Sequence, residues 1–176
     1  ELLDAAINSV LKQTYWNIEL IIVDDCSPDN VMHYLREKES LDGRIHVVSM
    51  EENGGTYLAK NRGMAIAKGE FVAFHDSDDW LHPQRLEKQV ARLVGTDRIG
   101  NISMSTRLTD NLEAAESIRR LRIGLCEPSL LFWKDRALST VGYFDTVRKG
   151  GDSEYRRRLE RAFGQDLEVI DPYRCL

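Results

Sequence analysis

The stretch FVAFHDSDDW, residues 71–80, runs an apolar, strand-like segment straight into three carboxylates, Asp76, Asp78 and Asp79. Carboxylates crowded at the edge of an apolar core repel one another and lose hydration, so they require a counter-charge: a metal, a basic side chain or free water. The chain before them shows what kind of edge this is. IELIIV at 18–23 is a continuous apolar, β-branched run of the kind found in strands buried on both faces, RIHVVS at 44–49 is a second short strand, and EFVAF at 70–74 is a third. Between them, Leu3, Ile7, Val10 and Leu11 recur at helical spacing, and SPDN at 27–30 supplies turn and N-cap chemistry ahead of a helix holding Val31 and Leu35. NGG at 53–55 breaks the chain, after which TYLAKNRGMAIAKG at 56–69 reads as a helix closed by Gly69. This alternation predicts an α/β fold with a mostly parallel, Rossmann-like central sheet and helices on both faces. Ligands of such sheets sit beyond the carboxyl ends of the strands. Asp24 and Asp25 follow the first strand and Asp76, Asp78 and Asp79 the third, so two acidic clusters are expected on one edge.

Beyond Pro83 a helix is expected to about Val94, then a strand in NISMSTRLT (101–109), a helix in DNLEAAESIRRLR (110–122) and a strand in PSLLFW (128–133). GYFDTVRKGGD reads as a loop, SEYRRRLERAF as a helix and DLEVI (166–170) as a short strand. With 176 residues, 42% of them hydrophobic, a single domain over 1–176 is expected. The net charge of −5 and scattered basic residues exclude a nucleic-acid footprint; the two basic runs, RRLR at 119–122 and RRR at 156–158, read as solvated helix faces. Cys26, Cys126 and Cys175 lack metal-type spacing and are odd in number, which suits free thiols in a reducing compartment. The apolar runs are too short for a membrane segment, and ELLDAAINSV has no signal-peptide pattern. A cytoplasmic location is expected, with the inner face of the membrane as the alternative for a full-length protein.

An Asp-x-Asp pair at a strand end is what a hard divalent cation takes when a diphosphate and water supply the remaining oxygens. Two features converge on that chemistry. VDDCS places a second acidic turn on the same edge, and KNRG places Lys60 and Arg62 in the helix before the acidic strand, where either base pairs with Asp24 or Asp25 or meets phosphate.

In spacing, order and residue type, AINSVLKQTYWNIELIIVDDCSPDN, NGGTYLAKNRGMAIAKGEFVAFHDSDDW and GGDSEYRRRL resemble family 2 glycosyltransferases, closely over 5–94 and more loosely over 128–165. The resemblance implies a GT-A fold, a nucleotide-sugar donor (of UDP type), a glycan or lipid-linked acceptor, Mn²⁺ or Mg²⁺ held through Asp-x-Asp, and inversion at the anomeric carbon. By motif, it places Asp24 and Asp25 at the nucleotide base, Asp76 at the ribose and the metal, Asp78 at the metal, Asp79 as a second ligand or bystander, and Asp152 as general base. It also implies an inner strand ahead of the first helix, which this sequence does not show; the Gln-x-x-Arg-Trp type segment of processive relatives is absent too, so transfer of a single sugar is expected.

A sugar hydroxyl is a poor nucleophile near neutral pH, so a placed carboxylate must take its proton during attack. For Asp152 the alternative is an N-cap of the helix that follows. Trp80 and Trp133 are candidates for stacking on an acceptor sugar, while His75 and His82 read as structural. Two rival functions remain from the residues alone: a non-catalytic sugar-nucleotide-binding module, and an aspartyl phosphotransferase, which would want a hydroxyl residue where Trp80 stands.

Overall fold

The computed structural model describes residues 2–28, 30–105 and 124–170. Helix α1 (Leu2–Leu11) leads into β1 (Leu20–Asp24), α2 (Val31–Leu41), β2 (Ile45–Ser49), α3 (Thr56–Ile66), β3 (Phe71–Ala73) and α4 (Arg85–Leu93). Then come β4 (Gly100–Ser105), β5 (Gly124–Leu125), a 3-10 turn (Glu127–Ser129), β6 (Leu131–Trp133), α5 (Lys134–Thr140), α6 (Gly151–Phe163) and β7 (Glu168–Ile170).

β1 and β2 pair in parallel, Leu20 opposite Ile45 and Asp24 opposite Ser49. β6 lies between β3 and β4, antiparallel to both, so β3 and β4 run the same way and β6 fills the space between them in reverse. β7 joins β4 in parallel and β5 joins it antiparallel. The expected parallel arrangement thus holds for β1 with β2 and for β3, β4 and β7, while β5 and β6 are reversed. An apolar run such as PSLLFW encodes burial but not direction.

Side chains alternate across the sheet, and each face meets its own helices. Val72, Phe74 and Phe132 enter a core with Tyr57 and Met64 of α3 and Tyr155 and Leu159 of α6. Leu131 and the partly buried Phe71 face the opposite way, against Val10, Leu86, Val90 and Leu93. α1 and α2 close a third cluster over β2 through Ile7, Leu35, Ile45 and Val47. Such alternation on a period of two is what turns a short apolar strand into a two-sided core element.

Three local expectations change. α3 ends at Ile66 with Ala67 extended, and the amides of Lys68 and Gly69 instead donate to Glu19 Oε1. Only Leu131–Trp133 of PSLLFW is strand; its start is the 3-10 turn. α5 was not expected, because KDRALST has no apolar repeat and buries only Ala137. Tertiary contacts form it: Lys134 Nζ reaches Ala67 O at 2.8 Å, and Arg136 reaches Asp97 O at 3.1 Å. The strand expected at 101–109 is seen as β4, within Gly100–Ser105; residues 106–109, the helix expected at 110–122, the basic run 119–122 and Cys175 lie outside the described residues.

Among the described residues β1 pairs only with β2, and β3 only with β6. Between their other edges lies a cleft of about 1050 Å³. Its lining follows the chain from Asn17 to Asp25 and from Ala67 to Phe74, with α1 on one side and Lys60, Gly63 and Met64 of α3 on the other. No described helix is long and apolar enough to cross a membrane.

Candidate active site

The mouth of this cleft, at the carboxyl ends of β1 and β3, is lined by Asp24, Asp25, Asp76 and Asp78 together with Lys60. The two acidic clusters therefore do share one edge. Their partners differ.

Asp25 binds the NGG turn: Oδ1 and Oδ2 accept the amides of Gly54 and Gly55, each at 2.7 Å, and its carbonyl accepts Asn53 Nδ2 at 2.9 Å. This clamp sets the entry to α3, and it leaves each carboxylate oxygen a further acceptor direction. Asp24 Oδ1 accepts the amide of Ser27 at 3.3 Å. Neither aspartate pairs with Lys60, contrary to one of the two roles expected for that lysine; Lys60 Nζ instead lies 2.7 Å from Asp152 Oδ1 and 3.6 Å from Asp76 Oδ1. Arg62 is exposed and does not line the cleft, so the structure brings together all the expected site residues except this one.

Asp152 sits inside the first turn of α6, whose N-cap is Gly150, so it is not the N-cap that the sequence left open. Both its oxygens are held from α3, Oδ1 by Lys60 and Oδ2 by the Tyr57 hydroxyl at 3.2 Å. Two glycines make the geometry possible. Gly150 takes a left-handed φ of 77°, and a Cβ on Gly151 would lie 2.6 Å from Tyr57 Cζ, so only glycine lets α6 start this close to the tyrosine ring. A reciprocal pair, Asn61 Nδ2 to Phe144 O and Phe144 N to Asn61 Oδ1, both 2.9 Å, ties α3 to the loop that leads into α6. Tyr57, Lys60, Asn61 and Met64 recur at three- and four-residue spacing, which puts them on one face of α3.

The acidic turn is fixed from behind. Arg85 is buried, donates Nη1 and Nη2 to Phe74 O at 3.2 Å each, and donates Nε to Gln89 Oε1. Gln89 passes the network on to Asn101 and Ser129. Burial lowers the guanidinium to about 10, partly offset by attraction to Cys126, Asp79 and Asp76, so it stays charged at neutral pH behind the acidic loop. Ser9 Oγ of α1 accepts the amide of Leu81, and Gln13, just beyond that helix, holds the amide of Leu86 and the carbonyl of His82. Burial lowers His75 to about 4, so it is neutral, with Nε2 3.5 Å from Ser9 Oγ. Sequence reasoning did not single out Ser9, Gln13, Tyr57 or Arg85. The available signal was polar side chains at helical spacing beside the apolar Ala6 and Val10.

Trp133 stacks obliquely on Phe71 at 4.2 Å, whereas Trp80 is exposed and meets His82 edge-on. The 156–158 run is not merely solvated: Arg156 bridges Glu127 and Glu160, and Arg158 bridges Glu154.

The family model for glycosyl transferase family 2 matches residues 1–157. The chain belongs to that family. The family 2 chain is 46% identical over 88 residues to the putative teichuronic acid biosynthesis glycosyltransferase TuaG of Bacillus subtilis (strain 168), a match covering 50% of the chain and 35% of that protein. It is 40% identical over 92 residues to UDP-Glc:alpha-D-GlcNAc-diphosphoundecaprenol beta-1,3-glucosyltransferase WfgD of Escherichia coli, covering 52% of the chain and 36% of that protein. The chain thus spans about a third of these curated relatives. In structure it superposes on S. aureus TarS 1-349 in complex with UDP (TM-score 0.70, 21% identity, 96% of this chain and 53% of that one). It also superposes on the mannosyltransferase PcManGT from Pyrobaculum calidifontis in complex with GDP-Man and Mn2+ (TM-score 0.71, 20% identity, 97% and 50%). The family 2 chain has the GT-A fold.

The donor set fits the divalent cation that this fold implies. Asp76 and Asp78 offer carboxylate oxygens at the cleft mouth, Asp78 exposed and Asp76 half-buried, and hard cations of the Mg²⁺ type take one or two carboxylates plus diphosphate and water. Among the described residues no group of three His, Cys, Asp or Glu side chains is placed to hold a metal ion by itself.

Proposed function

We propose that this domain is the donor-binding and catalytic core of an inverting glycosyltransferase that moves a single sugar from a nucleotide-diphosphate sugar, of UDP type, to a hydroxyl of a glycan or lipid-linked acceptor in polysaccharide or glycoconjugate synthesis. One observation carries the reading. A half-buried carboxylate, Asp152, is held with both oxygens fixed beside the cleft mouth that carries Asp24, Asp25, Asp76 and Asp78. The names of WfgD and of the UDP-bound TarS structure support the choice of UDP.

In this reading Asp24 and Asp25 meet the nucleotide base, Asp25 through the acceptor directions that the NGG turn leaves over. Asp76 faces the ribose. Asp76 and Asp78 would hold Mn²⁺ or Mg²⁺, which when bound offsets the negative charge that grows on the leaving diphosphate. Asp152 accepts the acceptor's hydroxyl proton as that oxygen bonds to the anomeric carbon, and the bond from carbon to diphosphate breaks with its electron pair going to the nucleotide. One displacement inverts the centre. Arg62, exposed on α3, remains a candidate for the diphosphate. The proposal includes an extended inner strand in the cleft between β1 and β3, whose facing edges have no partner among the described residues.

Calorimetric titration with UDP, with and without Mn²⁺, tests the donor site. Metal-enhanced binding that Asp78→Ala abolishes is expected; equal affinity in EDTA would refute the metal-dependent reading. Binding without transfer by the full-length protein would leave a nucleotide-sugar-binding module.

A further inference from the structure

Lys60 does not make the pair with Asp24 or Asp25 that was one of the two roles expected from its sequence position. Its side chain is 9% exposed, against 17% for Asp152 and 35% for Asp76, the two carboxylates it faces. The ammonium is walled by aromatic rings, 5.2 Å from the Phe74 centroid, 5.6 Å from Tyr57 and 6.0 Å from Phe144. Ring faces attract a cation, most strongly where water is excluded. Leaving this box for a diphosphate would break the 2.7 Å pair and strand Asp152, half-buried, without its counter-charge.

We propose that Lys60 is a positioning residue for Asp152, with the Tyr57 hydroxyl as a second arm. This rests on Asp152 being the general base. The two arms stand three residues apart on one face of α3 and hold one carboxylate oxygen each, so the carboxyl plane cannot rotate. An ionised carboxylate has about four lone-pair directions, and two remain for the acceptor hydroxyl. A base must meet its proton within hydrogen-bond reach and in line, and misplacement by about 1 Å costs up to roughly a hundred-fold in rate. The contact at 3.6 Å to Asp76 gives Lys60 a second consequence. It joins the donor side of the site to the acceptor side through one ammonium, so both are braced by the same charge. A compact ammonium suits this box better than a planar guanidinium, which needs more room and makes forked contacts.

The test uses the full-length enzyme with its acceptor. Lys60→Met, Asp152→Asn and the double variant are compared for kcat, KM for donor and acceptor, UDP affinity and melting temperature. Lys60→Met should lower kcat by roughly ten- to a hundred-fold, change UDP affinity by less than about three-fold, and add nothing to the loss in the Asp152→Asn background. Tyr57→Phe removes only the hydroxyl; it should give a smaller kcat loss that is likewise absent from the Asp152→Asn background, and it keeps the proposal testable if Lys60→Met does not fold. Losses that multiply in the double variant, with weakened UDP binding, would make Lys60 a diphosphate ligand and overturn the proposal. A lower melting temperature with unchanged kcat would make it a brace and overturn it as well. Near-normal transfer by Asp152→Asn is a separate result: it would remove the base reading itself, whatever Lys60→Met does.

Discussion

Asp152 and Asp25 are carboxylates with both oxygens engaged, but one is held by side chains and the other by backbone amides, and their variants should fail differently. Asp152→Asn keeps the shape and one acceptor for Lys60 yet cannot take a proton at neutral pH. Transfer should fall by a factor of roughly a hundred to ten thousand, about 3–5 kcal/mol at the transition state, with UDP affinity retained. Weakening one charge-assisted bond should cost about 1.5–3 kcal/mol of stability, which melting on the same sample separates from the kinetic loss. Transfer within a few-fold of wild type would pass the role to another carboxylate; Glu154 is already paired with Arg158 at 2.8 Å. His75 makes a pH prediction. It is lowered to about 4 by burial, while an unfolded histidine protonates near its ordinary 6.5. Its contribution to stability is therefore complete above pH 6.5 and is lost as the pH falls toward 4, by at most about 3 kcal/mol. His75→Gln should show a shallower fall in melting temperature between pH 7 and pH 4.5 than the wild type; equal slopes would mean that other groups set the acid sensitivity.

α3 and α6 meet at a point where only glycine fits. A Cβ at residue 151 would press on the Tyr57 ring, 2.6 Å from Cζ and 2.7 Å from Cε1, and the ring is itself stacked on Phe144 at 5.4 Å. The strain of Gly151→Ala must move either the ring or the start of α6. A stability loss of about 1–3 kcal/mol is expected from overpacking, measurable as a lower denaturation midpoint. Because the shift carries Asp152 off Tyr57 and Lys60, transfer at temperatures where the variant is folded should fall as well; a variant with unchanged activity would show that the base does not depend on this helix contact. α1 and the turn that follows it work at the other side of the site: Ser9 in the helix and Gln13 just beyond it hold the segment from Leu81 to Leu86 through its backbone, so the acidic turn is set by residues some seventy positions earlier in the chain.

The described strands form two sheet pieces, β1 with β2 and the five strands around β4, with helices packed on both faces and a cleft between the pieces. Its walls are apolar residues of both sheet pieces, including Leu20, Ile22, Val72 and Leu131, with α1 and α3 above and below. An extended strand there would bury apolar area and pair with the edges of β1 and β3 that have no partner among the described residues, both of which favour folding. Supplying such a strand ahead of α1 should raise the melting temperature and slow amide exchange at Leu20–Asp24 and Phe71–Ala73. Unchanged exchange on those two strands would rule out the placement.

The strand and helix alternation, the two acidic turns at strand ends and the loop-then-helix frame around Asp152 were legible from the residues, because they depend on periodicity and on local turn chemistry. Since strands linked by helices run parallel, their carboxyl ends had to collect on one edge, and Asp24, Asp25, Asp76 and Asp78 came together from spacing alone. Packing between distant segments set the rest. Lys60 had acids near it in sequence, yet its partner is Asp152, 92 residues away, because α6 packs over the aromatic face of α3 and delivers that carboxylate to the ammonium. The reversal of β6, the formation of α5 and the burial of Arg85 behind the acidic turn have the same origin. Ion pairs, strand direction and the rescue of a weak helix are set by packing between segments far apart in the chain, and no local pattern of residues encodes which distant surface will arrive.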